Sequence, residues 1–299
     1  MENINTLYIK TSLGEDDTSM ISTHYINEVL PTKKQYQNVK LDNIHKLIYD
    51  EEHPLSSIMA SSKKMNERQI EDVLIRPILE ALGNTLKAQI PLLGDTVDFC
   101  TYEPNPTIEP DGFANDYTNV TAIIESKRYG RIENKYFVRA KGNDDEIYQT
   151  LNYLRTMNLT LNNSGSKHNI NYAVLTDGYR WRIYSKNYTH NIKEYENHFI
   201  EFNLEAIISC DDLDEREHLL KLFCLFFSNE SLSGNLMKYE KESSELEVAV
   251  TSALKEQTFT ALEYIATGLW REIVNNQNPN LANTLKTIYD IDVDKINID

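Results

Sequence analysis

The stretch Thr121-Ala-Ile-Ile-Glu125-Ser-Lys127 constrains this chain more than any other. Four mostly apolar, partly β-branched residues predict a buried strand, and a carboxylate and an ammonium come next, two residues apart. Period-2 geometry sets Glu125 and Lys127 on one face of that strand and turns Ser126 away. Charges that end an apolar run cost free energy unless something compensates them, so the pattern predicts a site at the strand's end. A carboxylate can hold Mg²⁺, and a nearby Lys can orient or help deprotonate a water that attacks a phosphodiester. On E-x-K alone an intrastrand ion pair at a strand end is the favoured explanation, so the surroundings must decide.

Immediately after this strand the chain turns basic. Lys127, Arg128, Arg131, Lys135, Arg139 and Lys141 stand against one acid, Glu133, a pattern suited to phosphate. The whole chain nevertheless carries a formal charge of −16, which excludes a protein that coats nucleic acid through bulk charge. Cys100, Cys210 and Cys224 are widely spaced in apolar runs and predict reduced core cysteines of a cytoplasmic protein. The histidines show no ligand spacing with each other or with the cysteines, which argues against structural zinc. No apolar run is long enough for a membrane span, and the N-terminus lacks the pattern of a signal peptide.

Along the chain, residues 1–65 read as an extension of weak periodicity, with a linker at Ser56–Lys64. Asn66 and Gln69 predict a capping box that opens a helix to Leu82, with Ile70, Val73, Leu74, Ile78 and Leu82 on its apolar line. Pro77 predicts a kink or break within it. Leu86–Leu93 and Thr96–Tyr102 predict a hairpin about Gly94-Asp95, with Asp98 interrupting the second strand. Residues 103–119 read as a loop. A helix beginning at Asp144 and two strands joined by Asp177-Gly178 complete an α/β core of mixed sheet and flanking helices. From Leu204 the texture is helical. The stretch Leu219–Phe227 is apolar almost all round and therefore buried, and Ser243–Asn275 is a long helix. The expected domains are 1–65, 66–203 and 204–299, the last as a helical connector or docking domain.

A metal-dependent phosphodiesterase needs acidic ligands from different strands, and Asp98 and Glu125 lie on successive predicted strands. An acid on the second strand followed by E-x-K on the third resembles the PD-(D/E)xK nuclease superfamily. The stretch NERQIEDVLIRPILEALG is similar to the opening helix of the nuclease domain in type I and type IIG restriction enzymes. QTLNYLR matches their Q-x-x-x-Y element through Gln149 and Tyr153, and YAVLTDGYRWRIYS resembles their closing hairpin. LLKLFCLFFSNESLSG and ALKEQTFTALEYIATGL look like the helical connector that comes next in type IIG enzymes. The resemblance covers roughly residues 66–185 and part of 204–299, not the first 60.

The resemblance implies a restriction-endonuclease-like core and a Mg²⁺- or Mn²⁺-dependent DNA endonuclease that leaves a 5′-phosphate. Asp98 and Glu125 would bind the metal with the Ser126 carbonyl and Glu67, and Lys127 would position the attacking water. Gln149 and Tyr153 would orient the site or touch the strand, and Arg128 and Arg131 would hold phosphate. Asp111 spells the superfamily's "PD" literally, but it lies in a Pro- and Asn-rich turn, so Asp98 is the expected ligand. No methyltransferase-type Asn-Pro-Pro-Tyr motif occurs, so a methyltransferase or specificity subunit, or a fused domain, is the expected partner besides DNA. A homo-oligomer is compatible and no membrane partner is expected. The competing expectation is a catalytically silent nuclease-like DNA-binding or scaffold module in a defence complex.

Overall fold

A computed structural model describes residues 7–10, 20–103, 117–132, 146–188, 198–276, 280, 283, 284, 286 and 287. Among the described residues, seven strands form one sheet: β1 (Ile9–Lys10), β2 (Thr85–Leu92), β3 (Asp95–Tyr102), β4 (Val120–Ser126), β5 (Tyr172–Thr176), β6 (Arg180–Ser185) and β7 (Phe199–Asn203). Their spatial order is β1-β7-β6-β5-β4-β3-β2. Only the β4–β5 pair is parallel, and α6 (Glu146–Asn163) lies between those strands in the chain. A parallel neighbour requires such a crossover, whereas the antiparallel pairs need only short turns. Every residue of β4 is buried, as its apolar run requires.

The two faces of the sheet have different covers. On one, Tyr153, Leu154, Met157 and Leu161 of α6 share a core with Cys100, Ile123 and Ala173. On the other, Trp181 and Phe202, a cross-strand pair, meet Phe223 and Phe227 of α8 (Leu213–Phe227) with ring centroids 5.5–6.0 Å apart. The all-round apolar helix is therefore a wall of the sheet's own core, and not the start of a separate domain at Leu204. The chain divides into Met1–Ser244 and Glu245–Asp299. The first 65 residues likewise belong to the first unit: β1 pairs with β7, and the Ser22 amide donates to Ser243 Oγ. The expected linker is helical from Leu55 to Ser62, and the Ser62 hydroxyl meets the Tyr179 hydroxyl at 2.9 Å.

Local details differ from the expected pattern at two places. The β2–β3 turn is Leu93-Gly94, both at positive φ, because Leu92 pairs directly with Asp95. The Asn66–Gln69 capping box is formed in both directions. Beyond it, the helix Glu67–Ile70 passes into a π-helical turn, Glu71–Ile75, before α-helix resumes at Arg76 with Pro77 in its first turn. The wider turn rotates the later residues relative to a regular helix. Val73 is exposed, whereas Glu71, Leu74 and Ile75 are buried. In the second unit, the described residues include most of a long helix, Leu236–Asn276, and side chains from Glu247 to Ala266 that are exposed all round it.

Candidate metal and phosphate site

The site begins where β3 and β4 part. Their ladder pairs Phe99 with Ile124 and goes no further towards the C-terminal end of β4. Across β2 the pairing skips Gln89 and Asp98, and Gln89 has φ 55°. Strand β4 continues with β5 alone, through Ser126 opposite Thr176 and the Lys127 amide donating to the Thr176 carbonyl. The Ser126 amide, left without a β3 carbonyl, donates instead to Asp98 Oδ2 at 2.8 Å. A carboxylate thus replaces the next rung of the sheet.

Alternation then distributes the side chains as the sequence predicts. Ser126 Oγ donates to Asp98 Oδ2 at 2.8 Å and lies 2.6 Å from Glu71 Oε1. One hydroxyl proton cannot serve two carboxylates at once, so these acids crowd one another. Glu67, Glu71 and Asp98 each offer an oxygen, and these three lie within 4.8 Å of one another. Glu125 pairs in register with Leu175, on the sheet face that α6 covers, and Lys127 Nζ donates to its Oε1 at 2.5 Å. Glu125 lies outside the three-carboxylate group, yet Asp98 and Glu67 are close enough to act on its charge.

Electrostatics describe a site short of positive charge. Burial pushes the Glu125 carboxyl up to about 8, Lys127 pulls it back in part, and Asp98 adds to the rise. Burial also raises Glu67, against the pull of Lys127, and raises Glu71, against its hydrogen bond from Ser126. For Lys127 burial alone would lower the pKa, but the attraction of Glu125, with Glu67 and Asp98, outweighs it and holds the ammonium charged. Glu125 Oε2 is buried, and among the described residues it has no hydrogen-bond partner. An orphaned, buried carboxylate oxygen beside three crowded carboxylates is the environment a cation relieves.

The donors are all oxygen, the set that suits Mg²⁺ or Mn²⁺. Two ligands on opposite sides of Mg²⁺, each at about 2.1 Å, stand about 4.2 Å apart. Oxygens that lie within 4.8 Å of one another are spaced suitably for such an ion.

A cleft of about 860 Å³ meets the site at Glu67 and Lys127, which line it together with Arg128, Arg131, Gln149, Tyr153 and others, whereas Glu71, Asp98 and Glu125 lie behind its wall. Arg131 reaches Glu146 at 2.8 Å, and Arg128 is exposed. Gln149 Nε2 donates to Tyr153 Oη at 2.7 Å. Tyr153 is only 2% exposed and its ring belongs to the core under α6. Gln149 and Tyr153, four residues apart, thus share one side of the helix on the cleft wall, with the Tyr153 ring reaching into the core. Lys135, Arg139, Lys141 and Asp111 lie outside the described residues.

The sequence does not single out Glu71, although it stands four residues after Glu67, a helical spacing that places side chains on the same side. At 100° per residue Glu71 falls close to the line of Ile70, Leu74, Ile78 and Leu82, nearer than Val73 does, so the helical spacing itself is the signal for it.

No protein-family model, curated protein or solved structure matches this chain. Among the described residues, no helix is long and apolar enough to cross a membrane.

Proposed function

We propose that this chain is a divalent-metal-dependent DNA endonuclease of restriction type, acting with a DNA-recognition partner such as a methyltransferase or specificity subunit. The observation that carries this reading is the meeting of Glu67, Glu71 and Asp98 beside the buried Glu125–Lys127 pair, next to a cleft that Glu67 and Lys127 line together with Arg128 and Arg131. Glu67, Glu71 and Asp98 would hold Mg²⁺ or Mn²⁺, with Glu125 and the Ser126 carbonyl completing the set. The bound ion would make a water nucleophilic near neutral pH.

The remaining roles fall to the protein. Lys127 can turn its ammonium from Glu125 to the attacking water and to the charge that develops on the phosphoryl oxygens. Gln149, fixed by Tyr153, offers a polar group on the cleft wall. Arg128 and Arg131 neutralise backbone phosphates on either side of the reacting one. The water oxygen joins phosphorus, the P–O3′ bond breaks, and a 5′-phosphate and a 3′-hydroxyl remain.

The test is nicking of supercoiled plasmid by purified chain with Mg²⁺, Mn²⁺ or EDTA, with end analysis of the products. Metal-dependent nicks with 5′-phosphate ends are expected. Metal binding without cleavage, with and without a recognition partner, would favour the silent DNA-binding or scaffold module instead.

A further inference from the structure

The second unit presents an apolar helix face, and the line of residues along its centre has a spacing that is its own mirror image. Eight large apolar side chains between Val248 and Leu269 are each 47–76% exposed. At 3.6 residues per turn, all but Tyr264 fall on one half of the helix circumference. Glu256 and Glu263, the acids of this stretch, fall on the other half, and Lys255 lies just inside one margin of the apolar half. An apolar face of this length marks an interaction surface.

The centre of that face is Val250, Leu254, Thr258, Ala261, Ile265 and Leu269, with intervals of 4, 4, 3, 4 and 4. The intervals read the same from either end. Val250 and Ala261, Leu254 and Ile265, and Thr258 and Leu269 are each eleven residues apart, the repeat of a straight to slightly right-handed helix pair.

We infer that this face pairs antiparallel with a second copy of itself about a two-fold axis between Phe259 and Thr260. Such a pair sets Val250 against the partner's Leu269, Leu254 against the partner's Ile265, and Thr258 against the partner's Ala261. A two-fold interface must be self-complementary, which the mirrored spacing satisfies, whereas an unrelated partner would place no such demand on it. The charge distribution agrees: in a chain of net charge −16, pairing turns Glu256 and Glu263 of both copies outward. Seven such side chains from each copy would bury on the order of 1,200 Å², which reaches the range of stable interfaces. The inference stands independently of the proposed reaction.

The experiment uses the full chain. Sedimentation equilibrium should give a dimer, and the double variant Leu254→Glu/Ile265→Glu should be a monomer with an unchanged thermal transition for the first unit. Glu263→Lys, on the outer face, should remain a dimer. Direction is read from spin labels on single-cysteine variants: Phe259→Cys labels should lie close together, and Val248→Cys labels about 35 Å apart along the axis. A wild-type monomer at tens of micromolar would overturn the inference. So would a dimer that survives the double variant, or Val248→Cys labels as close as those at Phe259→Cys.

Discussion

The Asp98 carboxylate accepts both the amide and the hydroxyl hydrogen bond of Ser126, each at 2.8 Å. It thereby stands in for the backbone rung that β3 no longer offers β4. The contact fixes an acid where β3 and β4 part, beside the residue next to Glu125. A strand holds such a group more tightly than a turn does, which matters for a metal ligand. Calorimetry should therefore show loss of Mg²⁺ or Mn²⁺ binding in Asp98→Asn and none in Asp111→Asn. Equal losses in both, or loss in Asp111→Asn alone, would reassign the ligand.

Glu125 and Lys127 form one buried unit, 2% and 8% exposed. Glu125→Ala and Lys127→Ala should each reduce metal-dependent nicking by at least about 10²-fold, the size typical of losing a charge-stabilising group. Their far-ultraviolet circular dichroism should match that of the wild type. A Glu125→Ala protein that nicks at the wild-type rate would falsify the proposed reaction.

The parts of this architecture governed by local rules can be read from the sequence. Strand β4, the capping box at Asn66, the two hairpins and the α6 crossover each arise from periodicity or turn chemistry over a few residues. The rest is decided at longer range. Glu71 lies on the buried side of its helix, but that it meets Ser126 and Asp98 there is decided by where β3 and β4 part. The Phe223–Phe227 segment reads as a buried helix, but the sequence does not say that Trp181 and Phe202 are what it covers. Tyr153 sits in the core for a similar reason, since a helix between two sheet-packed clusters has a wider apolar face than one line of residues suggests.

Arg128 and Arg131 line the cleft, so their effect belongs to DNA binding and its salt dependence. Arg128→Ala and Arg131→Ala should each lower the salt slope of DNA affinity by about one and weaken binding uniformly across sequences. Arg131 is also engaged with Glu146 at 2.8 Å, so its substitution should have the smaller effect. Affinities measured across a salt titration decide this, and an unchanged slope in both variants would remove them from the phosphate path.

Asp177 gives a pH dependence unrelated to the metal site. Burial pushes its carboxyl up to about 6, although it accepts backbone hydrogen bonds from Arg180, Gly130 and Tyr179. A carboxyl whose folded pKa is raised binds its proton more tightly when folded. Its contribution is therefore fully present below about pH 4 and lost as pH rises through about 6, a change of about 3 kcal/mol. Unfolding free energy measured from pH 4 to 7 should fall less steeply in Asp177→Asn than in the wild type. Parallel curves would mean that Asp177 does not titrate in this window.

Gly178, in the turn after Asp177, couples the hairpin to the helix that carries the acids. Its φ is +82°, and a Cβ there would lie 2.9 Å from Leu74 Cγ and closer still to Leu74 Cδ2. Leu74 belongs to the same π-helical turn as Glu71, so pushing it back also displaces a carboxylate of the candidate site. Gly178→Ala combines backbone strain with overpacking and should cost roughly 2–4 kcal/mol. The two parts can be separated. In a Leu74→Ala background the steric part vanishes, and Gly178→Ala should then cost only about 1 kcal/mol of strain. Urea midpoints of the four proteins in the cycle give both numbers. If Gly178→Ala costs the same in both backgrounds, the close approach of the turn to Leu74 has no energetic weight, and only the positive φ explains the glycine.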